Sequence, residues 1–212
     1  MYLFSRNVRL GAGNPEKQMA WALKMTEKVN QISEVPVSLW TTVFSPDAGR
    51  LVWSATFENL VTLETSFDKL VGDSGYSALV EEGAAHASGD PVDDSLLQFI
   101  HNDPKAAEVD AQYALAVQAT LAPGGAVKGI ELGVETAQLA SKITGCPTSF
   151  VTAVTGAYGT VGWLTVFASI ADLQSSGEAI AADASFNKKV DQELSKVYLP
   201  GVTTQRAFRK IA

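Results

Sequence analysis

The chain lacks the residue patterns that mark several common protein classes. Its 212 residues include one cysteine, which excludes an intrachain disulfide framework and suits a reducing compartment. Its net charge is -7 and it contains no run of basic residues, and both features argue against nucleic-acid and anionic-membrane partners. No apolar stretch approaches the length of a membrane span, and the first ten residues do not resemble a secretory signal. We therefore expect a soluble, cytoplasmic protein.

What the chain does contain is an internal repeat. Residues 51–80 match residues 161–190 without a gap, and residues 36–45 match 147–156 with the spacing changed by one residue. The matched pairs in the longer segment include Trp53 with Trp163, Phe57 with Phe167, Ser66 with Ser176, Asp73 with Asp183 and Tyr76 with Phe186. A repeat of this length indicates two copies of one structural unit, which we expect to span residues 1–103 and 110–212.

Each copy has the pattern of two strand–helix–strand units. Alternating apolar residues predict strands, and apolar residues three and four positions apart predict helices. The second helix of the second copy is expected to run from Asp172 to about Val197. The order β-α-β-β-α-β predicts an α+β fold made of two ferredoxin-like repeats, each an antiparallel sheet with helices on one face.

The strands are apolar on both faces, although helices would cover only one. In residues 37–44, for example, Leu39 and Val43 share one face while Trp40 and Phe44 share the other. The uncovered face therefore needs a partner sheet, and the other repeat is tethered close by. We expect the two sheets to face each other in an intramolecular α/β barrel with a ligand pocket between them.

The repeated segments resemble the dimeric α/β-barrel superfamily over nearly the whole chain. The resemblance is carried by a strand with a tryptophan, a polar helix start, and an aspartate followed by an aromatic residue, in 51–80 and again in 161–190. Members include NIPSNAP-like proteins, cofactor-free antibiotic-biosynthesis-type monooxygenases, haem-degrading monooxygenases and chlorite dismutase-like haem proteins. The resemblance implies small-molecule binding, but it does not specify a reaction.

Candidate ligand-binding residues come from the faces of the strands. In the first strand Asn7 and Arg9 share a face that is more polar than the opposite face, which carries Tyr2, Phe4, Arg6 and Val8. Gln118 occupies the position of Asn7 in the second copy, and Trp40 and Thr42 are expected beside them. An apolar pocket with a few amides, hydroxyls and an arginine suits a small organic ligand. The alternative is a barrel interior filled by its own side chains.

Three functions remain open at this point. The first is an uncharacterised small-molecule-binding barrel. The second is a cofactor-independent monooxygenase acting on a phenolic or polycyclic substrate, with Asn7 and Trp40 in the site. The third is a haem-binding barrel that uses His86. We expect no metal, because the members of acidic pairs such as Asp93 and Asp94 point in different directions. We expect no cofactor, because Val80 and Val190 stand where a haem ligand would be expected. We expect Cys146 to be a structural residue. The sequence leaves open whether the chain is an enzyme and whether it forms a homo-oligomer.

Overall fold

The computed structural model describes residues 1–46, 49–201 and 203–212. By packing, the chain divides into two compact units. Unit 1 comprises Met1–Leu96 with Lys210–Ala212, and unit 2 comprises Leu97–Arg209. Both divisions fall inside strands, because one strand of each repeat runs from one unit into the other. The repeat boundaries at 1–103 and 110–212 stay a prediction.

Unit 1 carries the elements of the first repeat. They are β1 (Tyr2–Arg9), α1 (Pro15–Ile32), β2 (Ser38–Val43), β3 (Arg50–Phe57), α2 (Leu60–Val71), α3 (Ser74–Gly83) and the start of β4 (Asp93–His101). Unit 2 contains the rest of β4 and the elements of the second repeat. They are a 3-10 turn at Pro104–Glu108, β5 (Tyr113–Thr120), α4 (Ala126–Thr144), β6 (Thr148–Ala153), β7 (Thr160–Phe167), α5 (Ile170–Ala182), α6 (Ala184–Gln192), a 3-10 turn at Leu194–Lys196, and β8 (Thr204–Lys210).

The strand order confirms the predicted fold. Hydrogen-bonded neighbours follow the closed order β1-β3-β2-β8-β5-β7-β6-β4. Because the order is closed, β4 is followed by β1. The first repeat therefore has the strand order β4-β1-β3-β2 and the second has β8-β5-β7-β6, and each is the order of a ferredoxin-like sheet. Within unit 1, β1 is antiparallel to β3 with Arg6 opposite Trp53, and within unit 2, β5 is antiparallel to β7 with Val117 opposite Trp163. The two registers are equivalent, so the repeat in sequence is a repeat in structure.

The second helix of each repeat is broken at an aspartate. The side chain of Asp73 accepts a hydrogen bond from the backbone N–H of Tyr76, and Asp183 does the same for Phe186. Each aspartate is therefore an N-cap that starts a new helix. The expectation of one helix from Asp172 to about Val197 is wrong, because α5 ends at Ala182 and α6 ends at Gln192.

A tryptophan at the same repeat position joins the sheet to the first helix in each unit. The Nε1 of Trp53 donates to the Oγ1 of Thr26 on α1 at 2.8 Å, and the ring of Trp53 meets the edge of Trp21 at 5.7 Å between centroids. The Nε1 of Trp163 donates to the carbonyl oxygen of Gly133 on α4 at 2.9 Å. These bonds satisfy the one polar atom of each large ring, so both rings can lie in the helix-covered core.

The close packing of α4 against its sheet can be tested at Gly133. A methyl group at this position would overlap the ring of Phe150, so we expect Gly133→Ala to lower the free energy of unfolding by about 1–3 kcal/mol. The matched control is Gly177→Ala on α5, where an added methyl group meets nothing within 4 Å. That substitution should raise stability by about 0.5–1 kcal/mol. Urea unfolding measures both, and a Gly133→Ala protein as stable as the wild type would contradict the packing.

Candidate functional site

Unit 1 contains a cavity of about 570 Å³ on the helix-covered face of its sheet. Most of its lining is apolar, from β1, β3 and the three helices, and includes Trp21, Met25, Val29, Leu63 and Leu70. We call it the first cavity. The cavity exists because the side chains from the helices do not fill all the space between the helices and the sheet.

A group of three polar side chains lines the first cavity. The guanidinium of Arg6 donates to Asp94 through Nε at 2.8 Å and through Nη2 at 2.7 Å, which is a bidentate ion pair. Its Nη1 lies 3.4 Å from the hydroxyl oxygen of Tyr76. The guanidinium also lies 5.9 Å from the ring centroid of Phe4 and 5.6 Å from that of Phe67. A carboxylate, a phenol and two aromatic rings therefore surround the guanidinium of Arg6.

The ion pair is partly accessible to solvent. The side chains of Arg6 and Asp94 retain 33% and 42% of their exposure. The hydrogen bonds to Asp94 raise the pKa of Arg6 above its ordinary value. Together the pair and Tyr76 offer donors and acceptors in a group that carries no net charge. Such a group can hydrogen-bond a ligand hydroxyl or carbonyl while the apolar walls hold its rings.

Unit 2 contains a second cavity, of about 690 Å³, on the helix-covered face of its own sheet. Leu115, Val117 and Trp163 line it from the sheet, and α4, α5 and α6 close it. The hydroxyl oxygens of Thr148 and Thr165 lie 2.9 Å apart in its wall. We call it the second cavity. It is the counterpart of the first in the repeat.

The predicted ligand residues Asn7 and Arg9 do not line the first cavity. The Nδ2 of Asn7 donates to the backbone oxygen of Asp93 at 3.1 Å, and a guanidinium nitrogen of Arg9 lies 4.0 Å from the carboxylate of Asp90. Both residues alternate along β1 with Arg6, which faces the helices. Their assignment to a ligand site on the other face stays a prediction.

The other three predicted residues are also not part of the lining of either cavity. The Nε1 of Trp40 donates to the Oγ of Ser54 at 3.0 Å, and the Oγ1 of Thr42 accepts from the backbone N–H of Arg50 at 3.4 Å. Gln118 is exposed on β5. The structure does not bring these side chains together with Arg6, and their role as ligand contacts likewise stays a prediction.

The residues that sequence reasoning missed are Arg6, Tyr76 and Asp94. One signal was available: Arg6 is a charged residue among the aromatic and aliphatic side chains of the face of β1 predicted to pack on helices. A charged group on such a face needs a partner. The partner, Asp94, is 88 residues away in sequence, so no local spacing pointed to it.

The cavity linings do not fit haem. Haem iron is held by histidine, cysteine, methionine or tyrosine. Histidine and cysteine do not occur among the described residues that line the two cavities, Met25 is packed in the buried core, and the hydroxyls of Tyr76 and Tyr198 are hydrogen-bonded to Arg6 and to Gly129. The ring of His86 packs against Trp21 at 5.5 Å between centroids, outside the lining. Over residues 1–46, 49–201 and 203–212, no three side chains of the metal-binding types His, Cys, Asp and Glu come together as a metal site.

Comparison by sequence finds no matching protein family and no matching curated protein. Solved structures do match. A candidate monooxygenase from Fusobacterium nucleatum aligns over 100% of this chain and 92% of its own, with a TM-score of 0.72 and 7% identity. An anthrone oxidase-like protein aligns over 100% and 92%, with a TM-score of 0.67 and 11% identity. The fold is the dimeric α/β barrel.

A third solved structure agrees with these two. A candidate monooxygenase from Lactobacillus acidophilus aligns over 99% of this chain and 93% of its own, with a TM-score of 0.65 and 11% identity. At such identities the likeness concerns the fold alone. It agrees with the fold that the resemblance of the repeated segments implies. Among the described residues, no helix has the length and apolar character needed to cross a membrane.

The lining of the second cavity includes a tyrosine whose titration can be tested. Tyr198 is buried and donates a hydrogen bond to the backbone oxygen of Gly129, and burial raises the pKa of its phenol above 10. Because the folded state holds this proton more tightly, Tyr198 contributes stability below about pH 10 that is lost as the pH rises further.

We therefore expect Tyr198→Phe to lose about 1 kcal/mol at pH 7 and to fall less steeply in stability than the wild type above about pH 10. Urea unfolding of both proteins from pH 7 to 11 measures the difference. Parallel curves would show that the Tyr198 phenol titrates alike in the folded and unfolded states.

Proposed function

We propose that the chain binds a neutral aromatic or polycyclic molecule that carries a hydroxyl or carbonyl group, and that the ligand occupies the first cavity. The observation that carries the proposal is the Arg6–Asp94 ion pair beside Tyr76 in an otherwise apolar lining. Apolar pockets with a few convergent polar groups are the common form of small-molecule sites. The sequence also predicted small-molecule binding, but it placed the ligand between the two sheets and not on the helix-covered face.

The charge balance of the site favours a neutral ligand. Asp94 already occupies two donors of Arg6, so an incoming carboxylate would have to approach a carboxylate that stays in place. Like charges at such short range oppose binding. A hydroxyl avoids this cost because it can donate to Asp94 and accept from Arg6 or Tyr76.

The test uses 2-naphthol, 2-naphthoate and naphthalene, which share one ring system. We expect the wild type to bind 2-naphthol tightest, as read by quenching of tryptophan fluorescence. The double substitution Arg6→Val with Asp94→Gln installs the residues that the second repeat carries at these positions and leaves no unpaired charge. It should weaken 2-naphthol binding about tenfold, because hydrogen bonds to charged groups contribute about 1.5–3 kcal/mol.

The control for this test is Asn7→Ala, on the opposite face of the same strand. It should leave the 2-naphthol Kd unchanged if the ligand lies on the helix-covered face. The reverse result, with binding lost in Asn7→Ala and retained in the double variant, would move the site to the residues predicted from the sequence.

A second candidate is a cofactor-independent monooxygenase acting on a phenolic or polycyclic substrate. It is supported by Asp94, a carboxylate in the cavity lining that could accept a proton from an acidic CH₂ group, beside Arg6 and Tyr76, which could stabilise the resulting oxyanion. Similar structures include an anthrone oxidase-like protein. In the balanced reaction, anthrone and O₂ give anthraquinone and water, with one oxygen atom entering the carbonyl and the other leaving with both CH₂ hydrogens.

For this candidate we expect oxygen uptake equal to the anthrone consumed, measured with an oxygen electrode. Asp94→Asn should lower the rate at least about 100-fold, since a general base contributes factors of this size. Asp93→Asn is the matched control on the neighbouring residue, whose carboxylate lies 3.6 Å from the guanidinium of Arg50 instead. Uptake no faster than in buffer alone would leave the protein as a binding protein.

We also propose that the protein works in the cytoplasm. The proposal is supported by its one cysteine, Cys146, which has no partner for an intrachain disulfide. Burial raises the pKa of its thiol above the ordinary value, so it is mostly protonated at neutral pH. A protonated thiol is consistent with a structural role for Cys146.

A further inference from the structure

We infer that the second cavity is a separate binding site, and that it takes an uncharged, mainly apolar molecule bearing one hydroxyl group. This inference concerns a different cavity, in a different unit, from the proposed function. It rests on how the repeat has diverged at the positions that line the two cavities.

The three positions that form the polar group of the first cavity, and the aromatic position of Phe67 beside them, have changed in the second. In order of first and second repeat, they are Arg6 and Val117, Phe67 and Gly177, Tyr76 and Phe186, and Asp94 and Gln205. The registers confirm the equivalence of the strand positions, because Arg6 faces Trp53 across β1 and β3, as Val117 faces Trp163 across β5 and β7. Val117 is also opposite Gln205 on β8. The second cavity thus lacks both members of the ion pair.

The loss of an aromatic ring makes room for a larger ligand. Phe67 packs edge-on against Phe4 at 5.0 Å between centroids in the first cavity. Its counterpart is Gly177, where an added Cβ would meet no atom within 4 Å. The second cavity is correspondingly the larger, at about 690 Å³ against about 570 Å³.

The polar side chains of the second cavity include Asp191, which is exposed on α6, and a pair of hydroxyls on the sheet. Thr148 and Thr165 bring their hydroxyl oxygens within 2.9 Å of each other on β6 and β7, and Thr148 is almost fully buried. The equivalent residues of the first repeat, Val37 and Ala55, are apolar. The Oγ1 of Thr148 can donate to the backbone oxygen of Cys146 at 3.4 Å and accept from Thr165. Thr165 then keeps its lone pairs free, so it can accept a hydrogen bond from a ligand hydroxyl.

The large side chains in the wall are held in place and do not fill the space. Tyr198 donates its phenolic hydrogen to the backbone oxygen of Gly129, and Trp163 donates to that of Gly133. Rotating either ring into the cavity would break a hydrogen bond of a buried group, which is costly. The cavity therefore remains available to a ligand.

The experiment uses 9-anthracenemethanol and 9-methylanthracene, which differ by one hydroxyl group, with the full-length chain. Both are measured in the Arg6→Val with Asp94→Gln background, so that the ion pair of the first cavity is absent. We expect 9-anthracenemethanol to bind this parent, and Gly177→Phe, which restores the ring of the first repeat, to weaken binding at least about tenfold. Gly177→Ala should leave it unchanged. Native mass spectrometry gives the number of bound molecules, and fluorescence gives the Kd.

A second variant covers the case in which Gly177→Phe does not fold. Thr165→Val keeps the shape of the side chain and removes its hydroxyl, and it should weaken 9-anthracenemethanol about fivefold while leaving 9-methylanthracene unchanged. Equal binding of 9-anthracenemethanol to the parent, Gly177→Phe and Thr165→Val would overturn the inference. It can stand even if 2-naphthol fails to bind the wild type, because 2-naphthol probes the first cavity and these variants probe the second.

Discussion

The hydrogen-bonded tryptophan at the centre of each helix-covered face is the constraint on which the rest of each unit depends. Trp53 and Trp163 each commit their N–H to the first helix of their repeat, through a threonine hydroxyl on α1 and a backbone carbonyl on α4. A buried indole that lost this partner would leave an unsatisfied donor, so the position of the helix over the sheet is held. Because the tryptophan holds the helix at a fixed distance from the sheet, the residues around its ring can differ between the two repeats without loss of the fold.

The repeat made the fold predictable, and the reason is physical. Matching tryptophans, phenylalanines and aspartates occupy matching strands, cores and caps, so the strand order of one copy implies that of the other. The break in the second helix of the second repeat was not predicted, because an aspartate inside a helical pattern can either face solvent or cap a new helix. Asp73 and Asp183 do the latter, and only the hydrogen bonds to Tyr76 and Phe186 decide it.

The two cavities were harder to predict than the sheet. Alternation along β1 separated Asn7 from Arg6 correctly, but alternation cannot show that helices leave space over one face. That space depends on the absence of large side chains, as at Gly177, where the first repeat has a phenylalanine. It also depends on contacts between residues far apart in sequence, such as Arg6 with Asp94.

The proposed ligand recognition explains the presence of the Arg6–Asp94 pair in one repeat better than stability does. The side chains keep 33% and 42% of their exposure, so solvent screens the pair and limits what even a bidentate geometry contributes to folding. Unit 2 also shows that the fold does not need the pair, because Val117 and Gln205 stand in the same places and the sheet keeps its register. A charged pair that the architecture can replace by uncharged residues is retained in only one copy. Recognition of a polar group on a ligand accounts for that asymmetry, and it also accounts for the arginine being fixed by two rings, a carboxylate and a phenol.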